Sequence, residues 1–171
     1  STSSNSKYSI LLNKKMFKNK YKVLWADLDA NWHLANFSYL KYSTDARMSF
    51  FDSIGLTKEN LLKKALGPVV FYEHIYYYKE ILLGDEFYVS VEIDGYSEDK
   101  RFGKLIQNFY KGKINMARIE ILFALMDVKE RKLSKFPDDQ FEKIKKYPKT
   151  KSFKIITKND TRIEGKLPEN L

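Results

Sequence analysis

The chain has 171 residues, 43% of them hydrophobic, with 12 Tyr and 12 Phe, which suits one domain with a packed core and excludes a disordered polymer. It contains no cysteine, so disulfides, thiolate zinc sites and a cysteine nucleophile are excluded, as a cytoplasmic protein would allow, and no apolar run approaches the about 18 residues of a membrane span. The formal net charge of +9 favours an anionic partner (nucleic acid, a membrane surface, a nucleotide cofactor or an acidic carrier protein), or else describes a lysine-rich solvated surface.

Ser1 to Ser9 is polar and lacks the apolar centre of a secretory signal, which marks residues 1–9 as a loose terminus. Tyr21 to Leu28 has the composition of a strand. Phe37 to Ile54 has that of a helix ended by Gly55, with Phe37, Leu40, Phe50, Phe51 and Ile54 as apolar surface and Ser43 and Ala46 small enough to let a sheet approach. Thr57 to Leu66 predicts a second short helix, with Thr57 as its N-cap and Gly67-Pro68 as its stop. The period then changes. Val69 to Ile81 is rich in aromatic and β-branched residues, and Phe87 to Tyr96 alternates Phe87, Val89, Val91 and Ile93 with Tyr88, Ser90, Glu92 and Asp94. Leu83-Gly84-Asp85-Glu86 supplies the turn between them. Lys104 to Tyr110 and Asn115 to Val128 form a hairpin through Lys111-Gly112-Lys113. A helix followed by a run of antiparallel strands is an α+β architecture.

Beyond Phe136-Pro137, Asp138 to Tyr147 predicts one short helix. Lys149 to Leu171 is lysine-rich with one small apolar run, Phe153 to Ile156. Three fates are open to it: an added edge strand, packing on a neighbouring subunit, or mobility, and mobility or plain surface packing is preferred over a dedicated binding role. The organisation read from the sequence is therefore residues 1–9 as terminus, 10–137 as the domain, and 138–171 as a C-terminal helix with a basic extension.

The densest chemistry lies between the first strand and the long helix. Asp27, Asp29, His33 and Asn36 fall within ten residues, and the chain has only two histidines. Backbone N–H groups at a helix start lack intrahelical partners and carry partial positive charge, so they can bind an anion or a developing oxyanion. A carboxylate beside them can attack a carbonyl or activate water. Each residue also has a plain structural reading. Asp29 can cap a turn; Asp27 can stabilise the same turn, the preferred reading, or share a face with Asp29 and raise one pKa; His33 can be a satisfied turn residue; Asn36 can be the helix N-cap; Tyr39 suits packing; and Trp32 can line a pocket or anchor a neighbouring subunit. A divalent cation would need more oxygen ligands than the Asp27/Asp29 pair offers.

The order of these residues resembles the hotdog-fold thioesterases of the 4-hydroxybenzoyl-CoA thioesterase type, whose signature is Asp-x-Asp-x-x-Gly-His-x-Asn-Asn-x-x-Tyr. Asp27, Asp29, His33, Asn36 and Tyr39 stand at matching spacing, and Asp45-Ala46-Arg47, Gly55-Leu56 and Leu83-Gly84-Asp85 extend the likeness over about Tyr21 to Pro137. Trp32 replaces the family Gly, and Ala35 replaces the first Asn of the pair. The resemblance implies a hotdog fold, an antiparallel sheet wrapped around a long central helix. It implies an acyl thioesterase acting on an acyl-CoA or acyl-carrier-protein thioester. Asp29 would be nucleophile or general base, His33 and Asn36 would complete the catalytic set, Trp32 and Tyr39 would contact substrate, and no metal or redox cofactor would be needed. It further implies a homodimer or dimer of dimers joined edge to edge. The alternatives are a noncatalytic hotdog protein that binds acyl groups or serves assembly and, more weakly, a hotdog hydratase or dehydratase.

Other classes leave weaker traces. Gly95-Tyr96-Ser97-Glu98-Asp99 lacks the second Gly of a GxSxG nucleophile elbow, and neither a P-loop nor a GxGxxG dinucleotide fingerprint occurs. His74 lies beside Glu73 in an aromatic strand, where both read as sheet residues, with a pocket role as the alternative. Tyr76-Tyr77-Tyr78-Lys79 and Asn108-Phe109-Tyr110-Lys111-Gly112-Lys113 interleave bases with aromatics, yet lysine-protected strand edges explain them. No helix-turn-helix, zinc or RNA-recognition signature supports nucleic-acid binding.

Overall fold

The computed structural model describes residues 16–171, so the terminus read at positions 1–9 lies outside it. In chain order the elements are β1 (Phe17–Lys22), a 3-10 turn (Trp25–Asp27), α1 (Asn36–Ser53), α2 (Lys58–Lys63), β2 (Leu66–Tyr77), β3 (Glu86–Tyr96) and β4 (Phe102–Lys111). They continue with β5 (Ile114–Asp127), β6 (Lys132–Ser134), α3 (Asp138–Lys145), β7 (Lys149–Ile155) and a last 3-10 turn (Lys158–Thr161). The sheet runs β1-β3-β4-β5-β2, with β6 on β5 and β7 on β3. Every pairing is antiparallel except that of β7 with β3. The sheet curls about α1, giving the α+β hotdog fold.

Period-two alternation builds the wall that faces α1: Phe87, Val89, Val91 and Ile93 of β3 and Ile119, Ile121, Phe123 and Leu125 of β5 are all buried. Burying a side chain of this size contributes about 1.5–3 kcal/mol. From α1, Tyr39, Tyr42, Ala46 and Phe50 recur at helical spacing on the covered face. Ser38, Ser43 and Ala46 are wholly buried, and their small side chains let the sheet lie close. Phe37 does not serve as core: it is 61% exposed, because the inward stripe starts at Ser38 and Tyr39.

Three boundaries differ from those read in the sequence. The first strand ends at Lys22 and not Leu28, because the Asp27 carboxylate accepts the Leu24 N–H at 3.0 Å and closes the 3-10 turn. Thr57 does cap α2, accepting the Asn60 N–H at 3.2 Å. That helix nevertheless ends at Lys63, and Leu66, Gly67 and Pro68 already belong to β2, paired with Asp127, Met126 and Leu125. Beyond Pro137, α3 buries Phe141 and Ile144 in the core, and β7 joins the sheet. Its approach requires Gly95, where a Cβ would stand 2.8 Å from the Lys154 carbonyl oxygen. Asp94, buried despite its polar position in the alternation, accepts Thr150 Oγ1 at 2.5 Å and Ser152 Oγ at 2.6 Å and pairs with Lys104 at 3.2 Å. No helix among the described residues is long and apolar enough to cross a membrane.

Candidate active site

The segment from Leu28 to Ala35 is a tight loop folded on its own polar groups. The Asp29 N–H donates to the His33 carbonyl at 2.9 Å, and the Trp32 N–H to the Asp29 carbonyl at 3.2 Å. Asp29 Oδ1 accepts the N–H groups of Asn31 at 2.8 Å and His33 at 3.2 Å. One carboxylate oxygen thus shapes the loop, while Oδ2 has no protein donor among the described residues. Asp29 remains exposed.

Asp27 is the anchor beneath this loop. It is 1% exposed, and its carboxylate accepts Lys41 Nζ and Tyr42 Oη besides the Leu24 N–H. Its carbonyl accepts the Ala35 N–H at 2.8 Å and Ser38 Oγ at 2.9 Å. Burial pushes the Asp27 carboxyl up, but the bonds from Lys41, Tyr42 and Leu24 outweigh it, and the group is held below the usual carboxylate range. The strand that would set Asp27 and Asp29 on one face ends at Lys22, and the Asp27 carboxylate is engaged by Lys41, Tyr42 and Leu24 instead.

The loop is tied to the sheet as well. Leu34 N–H donates to the Ile81 carbonyl at 2.7 Å, His33 bridges to Leu82, and His33 Nε2 lies 3.3 Å from Glu80 Oε2. The N-cap of α1 is Ala35 and not Asn36, and no side chain caps the helix. Asn36 is the first helical residue, and its Oδ1 accepts the Phe37 N–H at 2.9 Å. The remaining first-turn amide, that of Asn36 itself, has no intrahelical acceptor.

Asp29, His33, Asn36 and Tyr39 line one open pocket of about 390 Å³. Its far wall is Tyr77, Tyr78, Lys79 and Glu80, from the end of β2 and the loop that follows. Tyr39 packs edge-on to Tyr77 at 5.2 Å. Burial, with Tyr77 and the Asp29 carboxylate nearby, pushes its phenol up to about 12, so it stays protonated at neutral pH. Trp32 points elsewhere: its ring packs against Trp25 at 5.4 Å, and its backbone takes φ 65°. That left-handed conformation explains why a glycine suits this position in the motif.

The wall from Tyr77 to Glu80 was not assigned to the site by the sequence, although its aromatic-basic run was visible. A buried polar cluster under the sheet was missed too. Arg47 donates to Gln107 Oε1 at 3.0 Å, Ser43 Oγ at 3.1 Å and Glu73 Oε1 at 3.3 Å. Glu73 therefore faces the helix, while His74 stacks on Tyr76 at 4.6 Å on the opposite face.

A family model for the thioesterase-like superfamily matches residues 23–144. The chain belongs to the thioesterase-like superfamily. Among solved structures it is similar to a Staphylococcus aureus protein in complex with CoA, at 24% identity and a TM-score of 0.73 over 86% of this chain and 91% of that one. It is likewise similar to a 1,4-dihydroxy-2-naphthoyl-CoA thioesterase from Synechocystis, at 17% identity and a TM-score of 0.67 over 76% and 96%. At such identities the likeness speaks for the fold. No curated protein matches the chain in sequence.

Proposed function

We propose that this thioesterase-like protein hydrolyses an acyl thioester, an acyl-CoA or acyl-carrier-protein conjugate, to a free acid and a thiol. The observation that carries this reading is that the Asp29 carboxylate and the uncapped N-terminus of α1 open on one pocket. A thioester carbonyl placed between them has Asp29 Oδ2 on one side, as nucleophile or as base for a water, and the Asn36 N–H on the other, as donor to the oxyanion. His33, held by Glu80, and the Asn36 side chain orient the acyl group. Tyr39 supplies a neutral phenol beside it, whereas Trp32, packed on Trp25 and outside the pocket lining, is given no substrate contact. The thiolate leaves readily, so the step needs no metal or redox group. Membership of the superfamily and the CoA bound by the Staphylococcus aureus neighbour support the substrate class.

The test is thiol release from a panel of acyl-CoAs and acyl-carrier proteins. Asp29→Asn is expected to lower turnover by orders of magnitude with the fold intact, and unchanged turnover would overturn the assignment. Tight acyl-ligand binding with no thiol release at any chain length would instead identify a noncatalytic acyl-binding protein.

A further inference from the structure

Both tryptophans of the chain stand in solvent at the Asp29 loop. Leu24, Trp25, Trp32 and Phe37 are each 57% exposed or more. Asp27 gathers the segments that carry them: its carboxylate accepts the Leu24 N–H and Lys41 Nζ, and its carbonyl accepts the Ala35 N–H just before α1. The two indoles meet edge-on at 5.4 Å, and Leu82, bridged to His33 beside Trp32, is exposed as well. A cluster of large apolar side chains left in water marks a contact surface, and none of these five lines the Asp29 pocket. The backbone adds a second sign. Trp32 is held at φ 65° in a loop closed by its own hydrogen bonds, a strained conformation that a glycine adopts freely. That strain presents the indole to solvent and not to the core.

The chemistry around the patch selects an anionic lipid surface. An indole ring is amphipathic and suits the boundary between headgroups and acyl chains. Exposed lysines flank the patch: Lys22 ends β1 two residues before Leu24, Lys41 follows Phe37 by one helical turn, and Lys79 stands in the loop beyond β2. Lys22 and Lys79 are in no ion pair among the described residues. The carboxylates nearby are engaged: Asp27 pairs with Lys41, Glu86 with Lys20, and Glu80 lies 3.3 Å from His33. Asp29 gives one oxygen to its own loop. The net charge of +9 adds attraction at longer range. A second copy of the chain suits the patch less well, because a twofold contact sets these lysines against their own symmetry mates. The outer edge of β2, last in the sheet order, already offers a copy its place. We propose that the Leu24–Trp25–Trp32–Phe37 patch docks the protein on an anionic lipid surface, with the two indoles entering the headgroup layer. His33 follows Trp32 and Asn36 precedes Phe37, so docking sets the mouth of the Asp29 pocket at the lipid. The inference stands without the thioesterase reading.

Because both tryptophans lie in the patch, intrinsic fluorescence reads this surface without a label. The full chain is titrated with vesicles of phosphatidylcholine and phosphatidylserine in equal parts, and tryptophan emission is followed alongside co-sedimentation. A saturable blue shift is expected with the protein sedimenting, and binding at least tenfold weaker on phosphatidylcholine alone. Phe37→Glu keeps both reporters, and a carboxylate in the first turn of α1 suits the helix dipole, so the fold is not endangered. It is expected to weaken vesicle binding at least tenfold, as is Trp25→Ser, in which Trp32 remains as reporter. Absence of binding to either vesicle, or equal binding by Phe37→Glu, overturns the proposal. Co-sedimentation without a blue shift places the lipid contact elsewhere and overturns the patch. Equal binding to both vesicles overturns the demand for anionic lipid. An emission shift that follows protein concentration with no vesicles present assigns the patch to a second copy and overturns the lipid as its occupant. No thioester enters these measurements, so they can fail while hydrolysis of acyl-CoA stands, and they can succeed in a chain that releases no thiol.

Discussion

Asp29 and His33 close a ring on each other: the Asp29 N–H reaches the His33 carbonyl at 2.9 Å, and the His33 N–H returns to Asp29 Oδ1 at 3.2 Å. The same side chain thus builds the loop with one oxygen and keeps the other free of protein donors among the described residues, in a residue that lines the pocket. Asn keeps the first oxygen and loses the second; Ala loses both. Asp29→Asn should therefore match the parent in stability to within about 0.5 kcal/mol, whereas Asp29→Ala should cost about 1 kcal/mol through the lost turn bonds. Urea unfolding of the two variants, alongside thiol release, separates structure from chemistry. Equal destabilisation would show that Oδ1 does not hold the loop.

Asp27 should govern acid stability. Its carboxyl is held below the usual range in the folded protein, so its contribution is fully present above the unfolded value of about 3.9 and is lost as pH falls through the lower folded value. Asp27→Asn leaves Lys41 and Tyr42 without their acceptor charge at the base of the site, and about 3 kcal/mol of destabilisation is expected at pH 7. The gap between parent and variant should shrink below pH 4. A gap that stays constant down to pH 2.5 would contradict the assigned pKa direction.

Trp32 occupies φ 65°, a conformation that costs a residue with a Cβ about 1–2 kcal/mol. Replacement by Gly or by Ala removes the contact with Trp25 equally, but only Gly relieves the backbone. Trp32→Gly should be more stable than Trp32→Ala by about 1 kcal/mol, read from denaturation midpoints at equal slope.

The long helix, the α3 segment and the succession of strands along the chain were legible because each carries its own period and its own stop, but the order in the sheet was not, since β2 pairs with β5 and not with β3, which follows it in the chain. The inward face of α1 was not, because Phe37 looks like core from its side chain alone and only the packing of Tyr39 and Tyr42 fixes the phase. At the site, the loop residues could be named from their spacing. The wall from Tyr77 to Glu80 could not, since a pairing across 40 and more residues, His33 with Leu82 and Leu34 with Ile81, brings it there. The parallel pairing of β7 was one of three open fates, and what decides it is nonlocal: the gap at Gly95 and the clamp of Thr150 and Ser152 on Asp94.

Arg47 and Glu73 join α1 to β2 beneath the site at 3.3 Å, with side chains 10% and 23% exposed. Burial lowers the Arg47 pKa, and the Glu73 charge opposes that shift. Removing one charge strands the other, so Glu73→Gln should cost about 3 kcal/mol, while Arg47→Met together with Glu73→Leu should cost less than the sum of the single changes. A double-mutant cycle by chemical denaturation measures the coupling, and strict additivity would show the pair to be inert.

β2 ends the sheet order, so one side of a 12-residue strand has no strand partner among the described residues. Val70, Phe71, Tyr76 and Tyr77 are exposed along it. An open edge bearing large apolar side chains is a template for pairing with another chain, and the symmetric occupant is a second copy of this one. We expect a homodimer joined at β2. Because Tyr77 to Glu80 at the end of that strand wall the Asp29 pocket, pairing would set the site at the subunit boundary and make activity depend on assembly. Sedimentation at micromolar concentration should report a dimer, and Phe71→Lys with Tyr76→Lys should raise its dissociation constant at least tenfold by setting like charges along the edge. Specific activity should fall in parallel as the variant is diluted. A monomer that keeps full thioesterase activity at every concentration would refute both the dimer and its role in the site.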